Sequence, residues 1–237
     1  MRVLLVRHGE SNNNSMKELG TPAYYDVREA DPNMSENGVQ DTILFAKKLK
    51  SLGVKIDKIY TSAFKRSVQS AKLIKQHYDA ENLEVNLMIK LHEKGGCQVK
   101  QQAQPGLGLS QVREILPEIL IDEKNSLIID ENGWNKSDHV ETHEECVQRA
   151  KEMLKDFKEL YEANQGKTIL AVSHGRYMNL IACMFTNNLG NEDTKQFIPQ
   201  NNGMAILDFF MNKNEHQGEG REFVDLKFTA YNLIIHK

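Results

Sequence analysis

Two histidines in this chain stand in the same local setting. Leu4-Leu5-Val6-Arg7-His8-Gly9-Glu10 and Leu170-Ala171-Val172-Ser173-His174-Gly175-Arg176 are apolar runs that each lead into a His-Gly pair. Each run has the length and composition of a buried strand. A glycine directly after a strand allows a tight turn and close backbone approach. A neutral imidazole can act as a nucleophile when one nitrogen is aimed at an electrophile and a partner holds the other. Arg7 beside His8 adds a planar, permanent cation suited to phosphate oxygens. If both strands belong to one sheet, the pair sits where open α/β folds place their sites. Together they read as a pocket for an oxyanion such as phosphate.

A third stretch carries the same sense. Ser62 follows a short apolar run and so stands near a helix N-terminus, where unpaired N–H groups favour anions. Arg66 lies one turn further, with Gln69 on a related face. An arginine there could reach the phosphate that Arg7 reaches. His174, opening a helix beside Gly175, could donate to a phosphoryl oxygen. Each feature alone has a plainer reading: a capping histidine, a solvated face of Lys65, Arg66 and Lys72, a histidine satisfied in the core. It is the three together that point to phosphoryl chemistry. The eight histidines show no HxH or HExxH spacing. His139 and His143, four apart, read as surface histidines rather than a metal pair, and neither metal nor cofactor is expected.

The elements that must hold these residues follow from periodicity. Strands are expected at 2–6, 56–61, 83–87 and 168–172, with two more at 204–210 and 223–231. Ser11 to Asn14 could open a short helix, and 20–37 reads as loop. Ser35 is an N-cap candidate for a helix through Val39, Ile43, Ala46 and Leu49, stopped by Gly53. Phe64, Val68, Ala71, Ile74 and Tyr78 mark an amphipathic helix. Residues 94–109, rich in glycine, read as an irregular loop long enough to serve a site, and 110–116 as a short helix before Pro117. A further helix is expected over about 141–163, and one from His174. Strands alternating with helices imply an α/β fold: a three-layer α/β/α sandwich with a mostly parallel central sheet and an antiparallel edge. Residues 1–237 read as a single domain, elaborated at about 88–140 over the active end. Lys213 to Arg221 reads as an exposed hairpin loop.

Bulk properties are ordinary for a globular protein: 40% hydrophobic, 27% charged, formal net charge −3 over 237 residues. That balance argues against broad nucleic-acid binding. No run approaches a membrane span, Val3–Val6 is too short for a signal-peptide core, and Cys97, Cys146 and Cys183 form no disulfide pattern. A cytoplasmic protein is expected, without membrane or nucleic-acid partners. Oligomeric state is not readable.

The chain resembles the histidine phosphatase superfamily, the phosphoglycerate mutase-like fold. The matching residues are Arg7-His8-Gly9-Glu10-Ser11 with Asn14, Met34-Ser35-Glu36-Asn37-Gly38-Val39-Gln40, Ser62 with Arg66, Gln69 and Ala71, Leu91-His92-Glu93, and Ser173-His174-Gly175. The resemblance implies that His8 attacks phosphorus and that Arg7, Arg66 and His174 bind the transferring group. It implies that Asn14 contacts phosphate, and that Glu93 is the general acid and then the base for water. The expected catalytic set is His8, Glu93, His174, Arg7 and Arg66. The expected phosphate-binding set is Arg7, Asn14, Arg66, His174 and Gly175. Glu10 would instead order the first loop.

The resemblance to the mutase branch is incomplete. Its members usually carry Trp where this chain has Asn13, and Glu-Arg-x-Tyr-Gly where it reads Glu93-Lys94-Gly95-Gly96. The expected activity is therefore hydrolysis of a phosphomonoester, the substrate being a small phosphorylated metabolite or a phosphoprotein. A phosphoglycerate mutase and a non-catalytic phosphate-binding scaffold are the alternatives.

Overall fold

The protein is described by a computed structural model over residues 1–16, 24, 26–78, 82–186, 188–189, 197–213 and 222–234. β1 (Arg2–Arg7) is an uninterrupted apolar strand because both of its faces are covered. It pairs in parallel with β6 (Thr168–Ser173), from Arg2 opposite Thr168 to Arg7 opposite Ser173. β6 pairs in parallel with β2 (Lys58–Thr61), and β2 with β3 (Val85–Leu87). On the other side of β1, β7 (Met204–Lys213) and β8 (Glu222–Leu233) run antiparallel. The spatial order is β3-β2-β6-β1-β7-β8, the mostly parallel sheet with an antiparallel edge that the sequence predicts.

Alternation along the strands assigns the helices to two faces. Leu4 and Val6 of β1, with Leu170 and Val172 of β6, pack against α2 (Glu36–Ser51) and α3 (Lys65–Tyr78). Val3 and Leu5, with Ile169 and Ala171, pack against α6 (His143–Glu159) and α7 (Gly175–Phe185). Three layers result. The short α1 (Asn12–Ser15) follows β1, and Ser35 caps α2 by accepting the Gly38 N–H at 3.0 Å.

Residues 88–140 differ in detail from the expected loop. A two-residue hairpin, β4 (Gln98–Val99) with β5 (Gln102–Ala103), lies within 94–109. α4 (Leu109–Ile115) and α5 (Glu123–Ser126) follow. Leu120 exchanges backbone hydrogen bonds with Val85 and Leu87, both 2.8 Å, so this region also closes the open edge of β3. The expected helix at 141–163 begins at His143, because Thr142 takes the cap position, and its last turn becomes a separate 3-10 turn at Glu162–Asn164. β7 and β8 are longer than their apolar cores suggest. Apart from Lys213, the hairpin loop read at Lys213 to Arg221 lies outside the described residues, as do 20–23 and 25 within 20–37.

Candidate active site

The β1–β6 register explains how residues distant in sequence meet. Arg7 stands opposite Ser173, so the next residue on each strand, His8 and His174, emerges at the same end of the sheet. The His8 N–H donates to the Ser173 carbonyl at 2.9 Å, and the two imidazole centroids are 5.0 Å apart. Gly9 is required here by packing: a Cβ would overlap Thr42 and Met34, and the Gly9 N–H donates to Ser70 Oγ at 3.1 Å.

Hydrogen bonding sets the state of each ring. A carbonyl oxygen only accepts, so His8 Nδ1–H donates to the Gly9 carbonyl at 2.6 Å. In the neutral ring, Nε2 then carries the lone pair. Arg66 Nε donates to it at 3.1 Å, and Arg66 Nη2 donates to His174 Nδ1 at 3.1 Å. His174 therefore carries its hydrogen on Nε2, which meets Ser62 Oγ at 2.7 Å and Ser67 Oγ at 3.2 Å. Burial, with Arg66 and His8 adding to it, holds His174 well below an ordinary histidine, so its ring is neutral at pH 7.

Arg66 reaches both rings because it sits in the first turn of α3, directed back at the strand ends. Asp31 accepts the Lys65 N–H through both oxygens, at 2.9 and 3.2 Å, and its Oδ1 lies 3.7 Å from Arg66 Nη1. Asp31 thus caps α3 and balances its buried arginine. Burial raises its carboxyl to about 6 against the pull of Arg66. The Phe64 ring lies 4.2 Å from the Arg66 guanidinium and edge-on to His174 at 4.9 Å. Asp31, Phe64 and Ser67 were not anticipated. Asp31 is 35 positions from Arg66 and carries no local signal beyond an acid ahead of Pro32.

Arg7 is buried, and its Nη1 donates to the Pro199 carbonyl at 2.7 Å. Its guanidinium lies over the start of α7, where a Cβ on Gly175 would come within 3.1 Å of Arg7 Nε and of Ile198 Cγ2. Gly175 is thus the space that Arg7 occupies.

Glu93 lies at that same helix start. Its Oε1 accepts the Tyr177 N–H at 2.9 Å and the Lys94 N–H at 2.9 Å, and its Oε2 accepts the Arg176 N–H at 3.3 Å. The carboxylate is therefore held two and three residues beyond His174. Asn14 is placed differently. Its Oδ1 accepts from the Ser11 N–H and hydroxyl at 3.2 and 3.0 Å and from Asn201 Nδ2 at 3.4 Å. Asn201 also donates to the His8 carbonyl at 3.0 Å, so Asn14 joins the loop around His8 through that bridge. Glu10 accepts the Ser35 hydroxyl at 2.6 Å and orders the first loop. His139 engages Asp138 and Glu145, and among the described residues no His, Cys, Asp and Glu group is arranged to hold a metal ion.

The arrangement joins a basic nitrogen and a second imidazole through Arg66, with Arg7 and the Glu93 carboxylate held at the start of the adjoining helix α7. Residues 3–218 match the histidine phosphatase superfamily (branch 1). The chain is 36% identical over 92 residues to the 2,3-bisphosphoglycerate-dependent phosphoglycerate mutase of Bartonella tribocorum, a stretch covering 39% of this chain and only 41% of that one. It is 30% identical over 210 residues to the enzyme of the same description from Treponema denticola, 81% of each chain. Among solved structures, phosphoglycerate mutase from Bacillus anthracis superposes with a TM-score of 0.58 at 17% identity, covering 87% of each chain. A mutant phosphoserine phosphatase from Entamoeba histolytica, in complex with phosphoserine, gives 0.55 at 20% identity, covering 99% of this chain and 98% of that one. At such identities the likeness to solved structures is one of fold, and that fold is phosphoglycerate mutase-like.

Proposed function

Because the chain belongs to the histidine phosphatase superfamily (branch 1), we propose that it hydrolyses phosphomonoesters through a phosphohistidine on His8. The observation that carries this reading is the tautomer of His8. Its Nδ1 is tied to the Gly9 carbonyl, which leaves the Nε2 lone pair facing Arg66 inside the pocket.

An incoming phosphoryl group replaces two acceptors of Arg66, the His8 and His174 nitrogens, with its own oxygens. The His8 lone pair is then free for in-line attack. The Nε2–P bond forms as the P–O bond to the leaving group breaks. Glu93 supplies the proton that turns the leaving oxygen into an alcohol. Water then attacks phosphorus, Glu93 takes its proton, and the P–N bond breaks to release phosphate. Arg7, Arg66 and His174 stabilise the equatorial charge in both steps. His174 gains a donor toward phosphate by moving its hydrogen to Nδ1, since the Ser62 hydroxyl can reverse and donate to Nε2. The charge stabilisation comes from side chains, so no step calls for a metal. Asn14 and Gly175 act by shaping the loop and the room around Arg7.

His8 is only 3% exposed. A nucleophile at that depth favours a small phosphorylated metabolite over a phosphoprotein. The His8→Ala variant is expected to lose turnover of 4-nitrophenyl phosphate by several orders of magnitude. The wild type should trap an acid-labile phosphohistidine and keep its rate in EDTA. Full activity of His8→Ala would overturn the mechanism.

The names of the curated relatives favour a second reading, a phosphoglycerate mutase. The departures at Asn13 and at 94–96 weigh against it. Asn13 is locked to the Glu29 backbone by two hydrogen bonds, at 2.7 and 3.0 Å. Gly95 and Gly96 form a turn at positive φ, with no side chain to hold a second acidic group. Conversion of 3-phosphoglycerate in a coupled assay primed with 2,3-bisphosphoglycerate separates the two readings.

A further inference from the structure

The largely buried ion pair of Glu141 and Arg149 is not part of the phosphate pocket, yet nearly all its bonds lead to the segment that carries Glu93. Arg149 Nε and Nη2 donate to the two oxygens of Glu141 at 2.6 and 2.8 Å. Arg149 Nη1 donates to the Lys90 carbonyl at 2.7 Å and to the His92 carbonyl at 3.0 Å. The carbonyl between them, Leu91, accepts from Ser173 Oγ at 2.8 Å. On the far side of Glu93, the Gly95 N–H donates to Glu141 Oε2 at 3.1 Å. The Arg149 guanidinium also lies 4.1 Å from the Tyr177 ring centroid, and the Tyr177 N–H is one of the donors to Glu93. The pair therefore grips the chain before and after Glu93, and packs on the helix turn that holds its carboxylate.

Burial works against ionising Glu141, but the hydrogen bonds and charges of Arg149 and His92 together outweigh it and hold the carboxyl well below the usual range. A buried ion pair is weak evidence of net stability, because apolar residues of similar volume often serve as well. What apolar residues cannot do is bind the carbonyls of 90 and 92 and the N–H of 95. Those bonds fix the direction of the intervening residues, and a proton donor is effective only within hydrogen-bond reach of the atom it serves.

We propose that Glu141 and Arg149 form a positioning pair for proton donation by Glu93. This rests on the proposed acid role of Glu93. The pair touches no substrate, so its loss shows where the leaving group needs a proton. A nitrophenolate leaves without one, whereas an alkoxide does not.

The test compares kcat/KM for 4-nitrophenyl phosphate and for glycerol phosphate in wild type, Arg149→Lys, Glu141→Gln and Glu93→Gln, with circular dichroism to confirm the fold. kcat/KM reports events up to departure of the leaving group, before Glu93 turns to water. Arg149→Lys and Glu141→Gln are expected to lose roughly 10- to 100-fold on the alkyl ester, a share of the general-acid effect, and no more than about threefold on the aryl ester. Glu93→Gln should show the same selectivity more strongly. Equal losses on both esters, or none on the alkyl ester, in the folded pair variants would overturn the proposal. Should Arg149→Lys not fold, Glu141→Gln, nearly isosteric, decides it alone. If Glu93→Gln leaves the alkyl-to-aryl ratio unchanged, the acid role falls and the positioning role with it. If Glu93→Gln lowers the ratio and neither pair variant does, only the positioning role falls.

Discussion

Arg66 shows how much a single site residue depends on neighbours that sequence spacing does not reveal. Its guanidinium serves two imidazoles, lies over Phe64 and faces Asp31. Asp31 titrates in the folded protein at about 6, above an ordinary aspartate near 3.8, with burial the main cause. The folded state therefore binds its proton more tightly than the unfolded chain between pH 4 and 6. The sign is that of a cost: the Asp31 contribution is neutral below pH 4 and becomes destabilising as pH rises to 6. At 1.36 kcal/mol per unit, the full cost is about 3 kcal/mol. Urea unfolding of wild type and Asp31→Asn across pH 4 to 7 isolates it. The difference is expected to move in favour of the asparagine variant by about that amount as pH rises, and a constant difference would contradict the burial of a charged Asp31. At this scale His8, Arg7, Arg66 and His174 were legible because each stands at the end of a strand, directly after one, or in the first turn of a helix. Asp31, Phe64 and Ser67 were not, since what places them is contact across the fold.

At the scale of elements, the legible part is what periodicity encodes: alternation in strands, helical stripes and stop residues. The pairing of β1 with β6 was legible only as a condition, because both runs end in the same His-Gly pair. Its register, with Arg7 opposite Ser173, came from the fold. The hairpin at 98–103 escaped because its strands are two residues long, too short for alternation to register. A glycine at 175 allows a tight turn and close approach; its φ is not positive, so close approach is what the fold uses. It stands there because Arg7 lies 3.1 to 3.2 Å from where a Cβ would be. Gly175→Ala is thus expected to leave the start of α7 intact, since alanine is the better helix former. The guanidinium of Arg7 must give way by a few tenths of an ångström. KM for 4-nitrophenyl phosphate should rise roughly 10-fold, in keeping with the loss of one well-formed charged hydrogen bond, with the thermal midpoint little changed. A lower midpoint with unaltered KM would mean that the glycine serves only the helix.

Across the whole molecule, the sheet separates two apolar cores, and the region from 88 to 140 joins them at the end that carries His8 and His174. Trp134, the chain's one tryptophan, is where that region docks. It is 2% exposed, edge-on to Phe64 at 5.1 Å and tilted on His92 at 5.0 Å. Phe64 in turn backs His174 and Arg66, so the indole supports the proposed phosphate pocket through one intervening ring. Trp134→Ala would leave a cavity beneath that ring and should cost about 3 to 5 kcal/mol. Trp134→Phe should cost much less than its lost volume suggests. The indole Nε1–H is buried without a hydrogen-bond partner among the described residues, and removing an unpaired donor returns about 1 to 3 kcal/mol. The expected order of urea midpoints, followed by circular dichroism because the fluorophore is gone, is wild type close to Trp134→Phe and both well above Trp134→Ala. At low temperature without denaturant, where the alanine variant is still folded, its kcat/KM should also fall, because Phe64 no longer has a wall to press against. A folded alanine variant with full activity would show that docking of this region stabilises the protein without shaping the pocket.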